Sequence, residues 1–88
     1  GYWLGIPFWN RGIMTHALCL WTDYLFAEYE WAQRLVCQIL VGNVASERVA
    51  EKAGYEREAV LRDSLCKNGE VLDIMLYVRL RRHWQQTD

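Results

Sequence analysis

The sequence predicts a mixed α/β fold in which crossover connections come early and a hairpin comes late. Three observations support this prediction: an apolar helical segment follows a short strand, a second helix follows a β-branched run, and an Asn-Gly turn joins the last two strands. The predicted order of elements is strand, helix, strand, helix, strand, strand. No internal repeat or linker interrupts the 88 residues, so we expect them to form one unit.

The first third of the chain combines a short strand with a long apolar helix. Residues 1–5 predict a strand, residues 6–12 a loop, and Gly12 to Tyr29 a helix. Because most of that helix is apolar, we expect it to be covered on most sides. Its polar positions form one narrow stripe with a spacing of seven residues: His16, Asp23 and Glu30. We therefore expect His16 to face solvent.

A second strand and a second helix follow, with clear signals at their boundaries. Residues 34–41 are rich in β-branched and apolar side chains, which predicts a central strand. Asn43 is a suitable N-cap for a helix that runs from Val44 to about Ala53. Gly54 then fits the left-handed position that follows many helix C-termini.

The last third of the chain predicts a β-hairpin. Asn68-Gly69 is the preferred pair for a two-residue type I′ turn. That register places Lys67 opposite Glu70 and Leu65 opposite Leu72. The second arm alternates between an apolar face and a more polar face: Leu72, Ile74, Leu76, Val78 and Leu80 on the first, and Asp73, Tyr77 and Arg79 on the second.

Composition excludes several classes of protein. The chain is 52% hydrophobic, which is too apolar for disorder, and its net charge of −1 gives no general attraction to nucleic acid or to anionic membranes. No stretch reaches the ~20 apolar residues of a membrane span.

The three cysteines lack metal-ligand spacing, so we expect reduced, mostly buried thiols, no metal, and a cytoplasmic location. Near the C-terminus the sequence has a short basic run that is typical of a solvated terminus: Arg79, Arg81, Arg82 and His83.

One loop has the pattern of an anion-binding site. Residues 9–15 lie between a strand and an apolar helix, and the first turn of a helix exposes N–H groups at its positive end. Gly12 allows a ligand to approach the backbone closely, and Arg11 adds a donor for a phosphate oxygen. A pyrophosphate fits such a site. The alternatives are that Gly12 only permits a tight turn, and that Asn43 and Ser46 only cap and begin the second helix.

Several spaced segments, taken in their order along the chain, resemble one family. The segments are Gly1-Tyr2-Trp3-Leu4-Gly5, Trp9-Asn10-Arg11-Gly12-Ile13-Met14-Thr15, Val41-Gly42-Asn43-Val44-Ala45-Ser46, Glu51-Lys52-Ala53-Gly54-Tyr55, Leu61-Arg62-Asp63 and Asn68-Gly69. Across residues 1 to about 80 they resemble the GCN5-related N-acetyltransferases (GNAT), and within them the branch of the ribosomal-protein alanine N-acetyltransferases.

The resemblance implies the C-terminal half of an acyl-CoA N-acyltransferase fold. Such a chain binds acetyl-CoA and transfers the acetyl group to a primary amine, either a protein N-terminus or a small amine. The strands at 1–5 and 34–41 would diverge to admit the pantetheine arm, which Asn43 would hydrogen-bond. Ser46 would be the catalytic residue that protonates the departing CoA thiolate. The pyrophosphate would lie on the backbone amides of one loop: Arg11, Gly12, Ile13, Met14 and Thr15.

Some features depart from the family's pattern. Ala50 stands where many members have a tyrosine acid, so that role falls to Ser46, and the methionine at Met14 replaces a smaller residue. Nothing corresponds to the family's N-terminal half, so we expect residues 1–88 to be a single partial domain.

We also expect a homodimer, because an isolated splayed sheet exposes a strand edge and an apolar face. The alternative function is a non-catalytic, self-associating interaction domain, and RNA binding through the C-terminal arginines is a third, less supported hypothesis.

Overall fold

A computed structural model describes residues 3–7 and 15–85 of the chain. Its elements are β1 (Trp3–Pro7), α1 (Thr15–Glu28), β2 (Arg34–Leu40), α2 (Val44–Lys52), β3 (Glu56–Lys67), β4 (Glu70–Leu80) and α3 (Arg81–Gln85). The four strands form one mixed sheet in the order β1-β2-β4-β3, with β1 parallel to β2 and the other pairs antiparallel. The predicted α/β class and the order of the first six elements are confirmed, and α3 is an addition.

Strand β1 runs further than the sequence predicted. Ile6 and Pro7, which we expected in a loop, pair with Cys37 and Gln38 of β2. Proline has no N–H to donate to a ladder, so it is tolerated mainly in edge strands. β1 is such a strand in the described sheet, since it pairs there with β2 alone.

The hairpin forms in the predicted register. Lys67 lies opposite Glu70, and Leu65 lies opposite Leu72. Asn68 and Gly69 have φ angles of 52° and 81°, and a type I′ turn requires positive φ at both positions. The turn chemistry of two residues therefore sets the pairing of β3 with β4.

The main core lies between the two long helices and one face of the sheet. β2 contributes Leu35, Cys37 and Ile39, and β4 contributes Met75 and Tyr77. Tyr77 shares a face of β4 with Asp73 and Arg79, as the alternation predicts, and it is only 1% exposed because the helices cover that face. β4 has a neighbouring strand on each side and buried residues on both faces of the sheet, so simple alternation of apolar and polar residues does not apply to it.

Helix α1 is buried along one stripe only. The stripe consists of Leu18, Thr22, Leu25 and Phe26, which recur at helical spacing. The expectation that the helix is covered on most sides is wrong, because the sheet and α2 contact it from one direction. His16 is exposed, as predicted. No helix within the described ranges combines the length and apolar character needed to cross a membrane.

The opposite side of α1 carries large apolar side chains. Leu20, Trp21 and Tyr24 are 56%, 48% and 51% exposed. The rings of Trp21 and Tyr24 stack on one another with centroids 5.5 Å apart. Exposed apolar groups that lie together form a surface with a tendency to associate.

A buried polar cluster joins α1, β2 and the start of β3. The hydroxyl groups of Thr22 and Tyr55 are hydrogen-bonded at 2.7 Å, and the Tyr55 hydroxyl also bonds the thiol of Cys37. Burial raises the pKa of Cys37 from 9.0 to about 12, and burial likewise raises the pKa of Tyr55. The expectation of mostly buried thiols holds for Cys37, while Cys19 is half-buried and Cys66, on the outer hairpin, is exposed.

We expect the free energy of unfolding to fall as the pH rises above 9. The unfolded chain releases the Cys37 proton near 9.0, whereas the folded chain holds it to about 12, so the stabilisation is fully present below pH 9 and is lost as pH rises towards 12. One such group makes the free energy of unfolding fall by up to about 1.4 kcal/mol for each pH unit. Urea unfolding between about pH 8 and 10 measures it. The free energy of unfolding should fall less steeply with pH in Cys37→Ala than in Cys66→Ala. Equal pH dependence in the two variants would contradict the assignment of this effect to the Cys37 thiol.

Candidate functional site

The carboxyl ends of the two parallel strands meet at one edge of the sheet. β1 leads towards α1 and β2 leads into α2, so both helices begin at that edge. Pairing between β1 and β2 is described as far as Pro7 and Gln38, while β2 continues to Leu40 as a partner of β4. Ligands of open α/β sheets bind at such carboxyl edges.

The first described turn of α1 has no acidic side chain. Thr15 begins the helix and is half-buried. A carboxylate in this turn would neutralise the positive end of the helix dipole, and its absence from the described turn keeps that end attractive to an anion. The other predicted pyrophosphate ligands, Arg11, Gly12, Ile13 and Met14, lie outside the described residues, so their roles stay predictions.

The N-terminus of α2 is built as the sequence predicted. The Asn43 side chain accepts a hydrogen bond from the Ser46 backbone N–H through Oδ1, at 3.3 Å. Gly42, with a φ of 98°, makes the turn that brings the chain from β2 into this cap. The cap uses the oxygen of the Asn43 amide, so the Nδ2 group is not the atom that caps the helix.

Ser46 lies on the inner side of α2. It is 6% exposed and shares the buried face of the helix with Ala50, one turn later. The cap therefore joins two of the predicted site residues, Asn43 and Ser46, in the first turn of α2. Thr15 begins the neighbouring helix at the same edge of the sheet.

The C-terminal end of α1 is held by a residue that the sequence analysis misinterpreted. The Arg81 guanidinium donates to the backbone oxygens of Phe26 and Tyr29 at 2.7 Å and to that of Ala32 at 2.6 Å. The expectation that the basic run is solvated is thus wrong for Arg81. The last carbonyls of a helix lack partners within it and attract a cation, which explains the contact.

Tyr77 ties α2 to the sheet. Its hydroxyl donates towards the carboxylates of Glu47 and Glu51, at 3.4 and 3.2 Å. Burial, reinforced by the nearby Glu47 charge, raises the pKa of Tyr77 to about 12. The hydroxyl therefore stays protonated near neutral pH and acts as a donor to α2.

A cleft of about 850 Å³ lies between the middle of α1, the C-terminal end of α2 and α3. Its lining residues are Cys19, Thr22, Asp23, Lys52, Ala53, Gly54, Arg79, Trp84 and Gln85. Asn43, Ser46 and Thr15 are not among them. The cleft is therefore separate from the edge at which both helices begin.

Comparisons with known proteins agree with this geometry. Residues 1–56 match the family model described as an acetyltransferase (GNAT) domain. The chain is 36% identical over 85 residues to a Bacillus subtilis protein named as the ribosomal N-acetyltransferase YdaF, covering 97% of this chain and 46% of the relative. The chain thus spans about half the length of that curated relative.

Solved structures show the same fold. A crystal structure of an acetyltransferase is 36% identical and superimposes with a TM-score of 0.75, covering 85% of this chain and 42% of the other. RimL, a ribosomal L7/L12 α-N-protein acetyltransferase solved in complex with coenzyme A, is 27% identical with a TM-score of 0.68, covering 81% of this chain and 40% of the other. On the family match, the identity to YdaF and the shared fold, the chain belongs to the GNAT family of N-acetyltransferases.

Proposed function

We propose that this chain is the acetyl-CoA-binding half of an N-acetyltransferase that acts on a primary amine. The observation that carries the proposal is the shared edge, at which the parallel strands β1 and β2 lead into two helices. The acceptor class is a protein N-terminus or a small amine, and the named activity of RimL on a ribosomal protein supports the former. The match covers 46% of the YdaF relative, and we propose that a further part of the domain, the N-terminal half that the family resemblance implies, completes the amine site.

The residues present fit the cofactor's diphosphate. The first described turn of α1 lacks carboxylates, and the helix has 14 residues, long enough for its dipole to develop at that end. We assign the pyrophosphate to the backbone amides of this turn and of the loop before it: Arg11, Gly12, Ile13, Met14 and Thr15. Arg11 adds the one cationic side chain of this segment.

The first turn of α2 fits the other end of the cofactor. Acetyl-CoA supplies an acetyl group as a thioester, and transfer to an amine releases CoA as the thiol. Asn43 caps α2 with Oδ1, which directs its Nδ2 group to donate to the amide-containing arm. Ser46 would donate a hydrogen bond from its hydroxyl to the departing sulfur, and the proton that the attacking amine loses would balance the one that CoA gains as the thiol. The hydroxyl is a weak acid, but a hydrogen bond alone stabilises the developing thiolate charge.

Self-association is the second part of the proposal. Leu20, Trp21 and Tyr24 together expose about 300 Å² of apolar surface on α1, which is in the range of functional patches on monomers. The three side chains are uncharged, so two copies meet there without charge repulsion. We propose a homodimer on this surface, and a cytoplasmic location in keeping with three free cysteines.

Calorimetric titration with CoA tests the binding site. We expect saturable binding by the wild-type chain. A titration without heat of binding, together with a thermal melt in which CoA gives no protection, would overturn the proposal.

Asn43→Ala should lower the free energy of unfolding by about 1 kcal/mol through loss of the cap. Asn43→Ser keeps a capping oxygen and should be nearly as stable as wild type. Both variants should weaken CoA binding several-fold, and normal affinity in Asn43→Ser would show that the amide has only a capping role.

Ser46→Ala tests the catalytic assignment. The cap uses the backbone N–H of Ser46, so the substitution leaves α2 intact. We expect kcat for acetyl transfer to a peptide N-terminus or a polyamine to fall about tenfold to hundredfold with little change in the acetyl-CoA KM. Released CoA should be quantified by chromatography, because the exposed Cys66 would react with thiol reagents. Ser64→Ala, the same change in β3, is the control, and equal kcat in both variants would exclude the role.

Sedimentation over a range of concentrations tests the dimer. Trp21→Glu places a charge within the apolar surface and should shift the chain to a monomer. Val71→Glu is the matched control, because Val71 is also an exposed apolar residue, at 59%, but lies on the hairpin. A wild-type chain that stays monomeric at high concentration, or a Trp21→Glu variant that still dimerises, would rule out this surface.

A further inference from the structure

We propose that Arg81 is a positioning residue for cofactor binding. By holding the C-terminal end of α1, it keeps the first turn of the same helix aligned with the cofactor's pyrophosphate. The inference rests on the proposed function, and it adds a residue that lies at the far end of the helix from the ligand.

Arg81 donates side-chain hydrogen bonds to three backbone oxygens at and just after the end of α1. Its Nη2 donates to the oxygens of Phe26 and Tyr29, and its Nε donates to that of Ala32. Its own backbone N–H donates to the oxygen of Gln33, at 2.8 Å. One half-buried side chain therefore bonds both the last turn of α1 and the turn that leads into β2.

Trp84 of α3 adds a second point of attachment. Its Nε1 donates to Asp23 Oδ1 at 2.8 Å, and its ring lies 5.0 Å from the ring of Phe26. The Arg81 guanidinium lies over both rings, 4.9 Å from the Phe26 centroid and 5.6 Å from that of Trp84. Contacts at Asp23 and at the carbonyls of Phe26 and Tyr29 fall on successive turns, so they fix the rotation of α1 as well as its position along its axis.

Midway along α1 there is a fixed point about which the helix can tilt. Thr22 is buried and hydrogen-bonded to Tyr55. The helix extends about 10 Å from Thr22 in each direction, since each residue adds ~1.5 Å. If α1 tilts as a rigid rod about Thr22, a shift of its C-terminal end moves the first described turn by a similar distance in the opposite direction. Displacements of about 1 Å are enough to disrupt the alignment of a binding group with its ligand.

A direct electrostatic effect of Arg81 on the pyrophosphate is small. About 20 Å of helix separates the two, which is about twice the Debye length at physiological salt. The effect of Arg81 therefore depends on its hydrogen-bond geometry, and a lysine, which retains the charge but not the planar fork of donors, should restore it only in part.

The test compares two ligands in titrations monitored by NMR. Arg81→Gln should weaken CoA binding at least about tenfold, while binding of acetyl-pantetheine, which lacks the pyrophosphate, should change less than about twofold. The CoA affinity of Arg81→Lys should lie between that of Arg81→Gln and that of the wild-type chain. Arg82→Gln, the same change at the adjacent exposed residue, should bind both ligands like wild type.

The possible outcomes separate this inference from the proposed function. Normal CoA affinity in Arg81→Gln, or an equal loss for both ligands, would overturn the positioning role while the proposed function stands. A wild-type chain that does not bind CoA overturns both. Should Arg81→Gln fail to fold, Trp84→Phe removes the donor to Asp23 and keeps an aromatic ring beside Phe26, and it should weaken CoA binding about twofold to threefold without affecting acetyl-pantetheine binding. Unchanged CoA affinity in that variant would also count against the inference.

Discussion

The parallel pairing of β1 with β2 is the constraint on which the arrangement of this chain depends. Because the two strands run in the same direction, the helices that follow them begin at the same edge, and α1 must return across the sheet to connect them. β3 also runs parallel to β2, since both are antiparallel to β4, so α2 returns in the same way. β2 is paired on its other side with β4, which fixes it in the centre of the sheet. Its inward residues Leu35, Cys37 and Ile39 then form the floor on which both helices pack.

Features encoded within a few residues could be predicted from the sequence. The Asn68-Gly69 turn sets its own φ angles, and the Asn43 cap and Gly54 define the ends of α2 through local hydrogen bonds and backbone conformation. Each depends on neighbours in sequence, so each was recognisable without knowledge of the fold. The cap of the candidate site belongs to this class.

Features set by distant contacts could not be predicted in the same way. Tyr77 alternates with apolar residues along β4, yet its face is buried because helices from elsewhere in the chain cover it. Arg81 follows a strand in a basic run, and nothing near it in sequence shows that the carbonyls of Phe26 and Tyr29 lie within reach. The available signal was an arginine directly after a core strand, with a tryptophan three residues later: Arg81 and Trp84. A composition-based interpretation of charge assigned it to solvent.

The hydrogen bond between Thr22 and Tyr55 also constrains how this core can change over generations. Each hydroxyl is shielded from water. A phenylalanine at Tyr55 would leave the Thr22 hydroxyl without this partner, at a cost of about 1–3 kcal/mol, and a valine at Thr22 would leave the Tyr55 hydroxyl with the Cys37 thiol alone. Replacing both together removes that cost. Selection therefore acts on the two positions as a pair, although they are 33 residues apart in the chain.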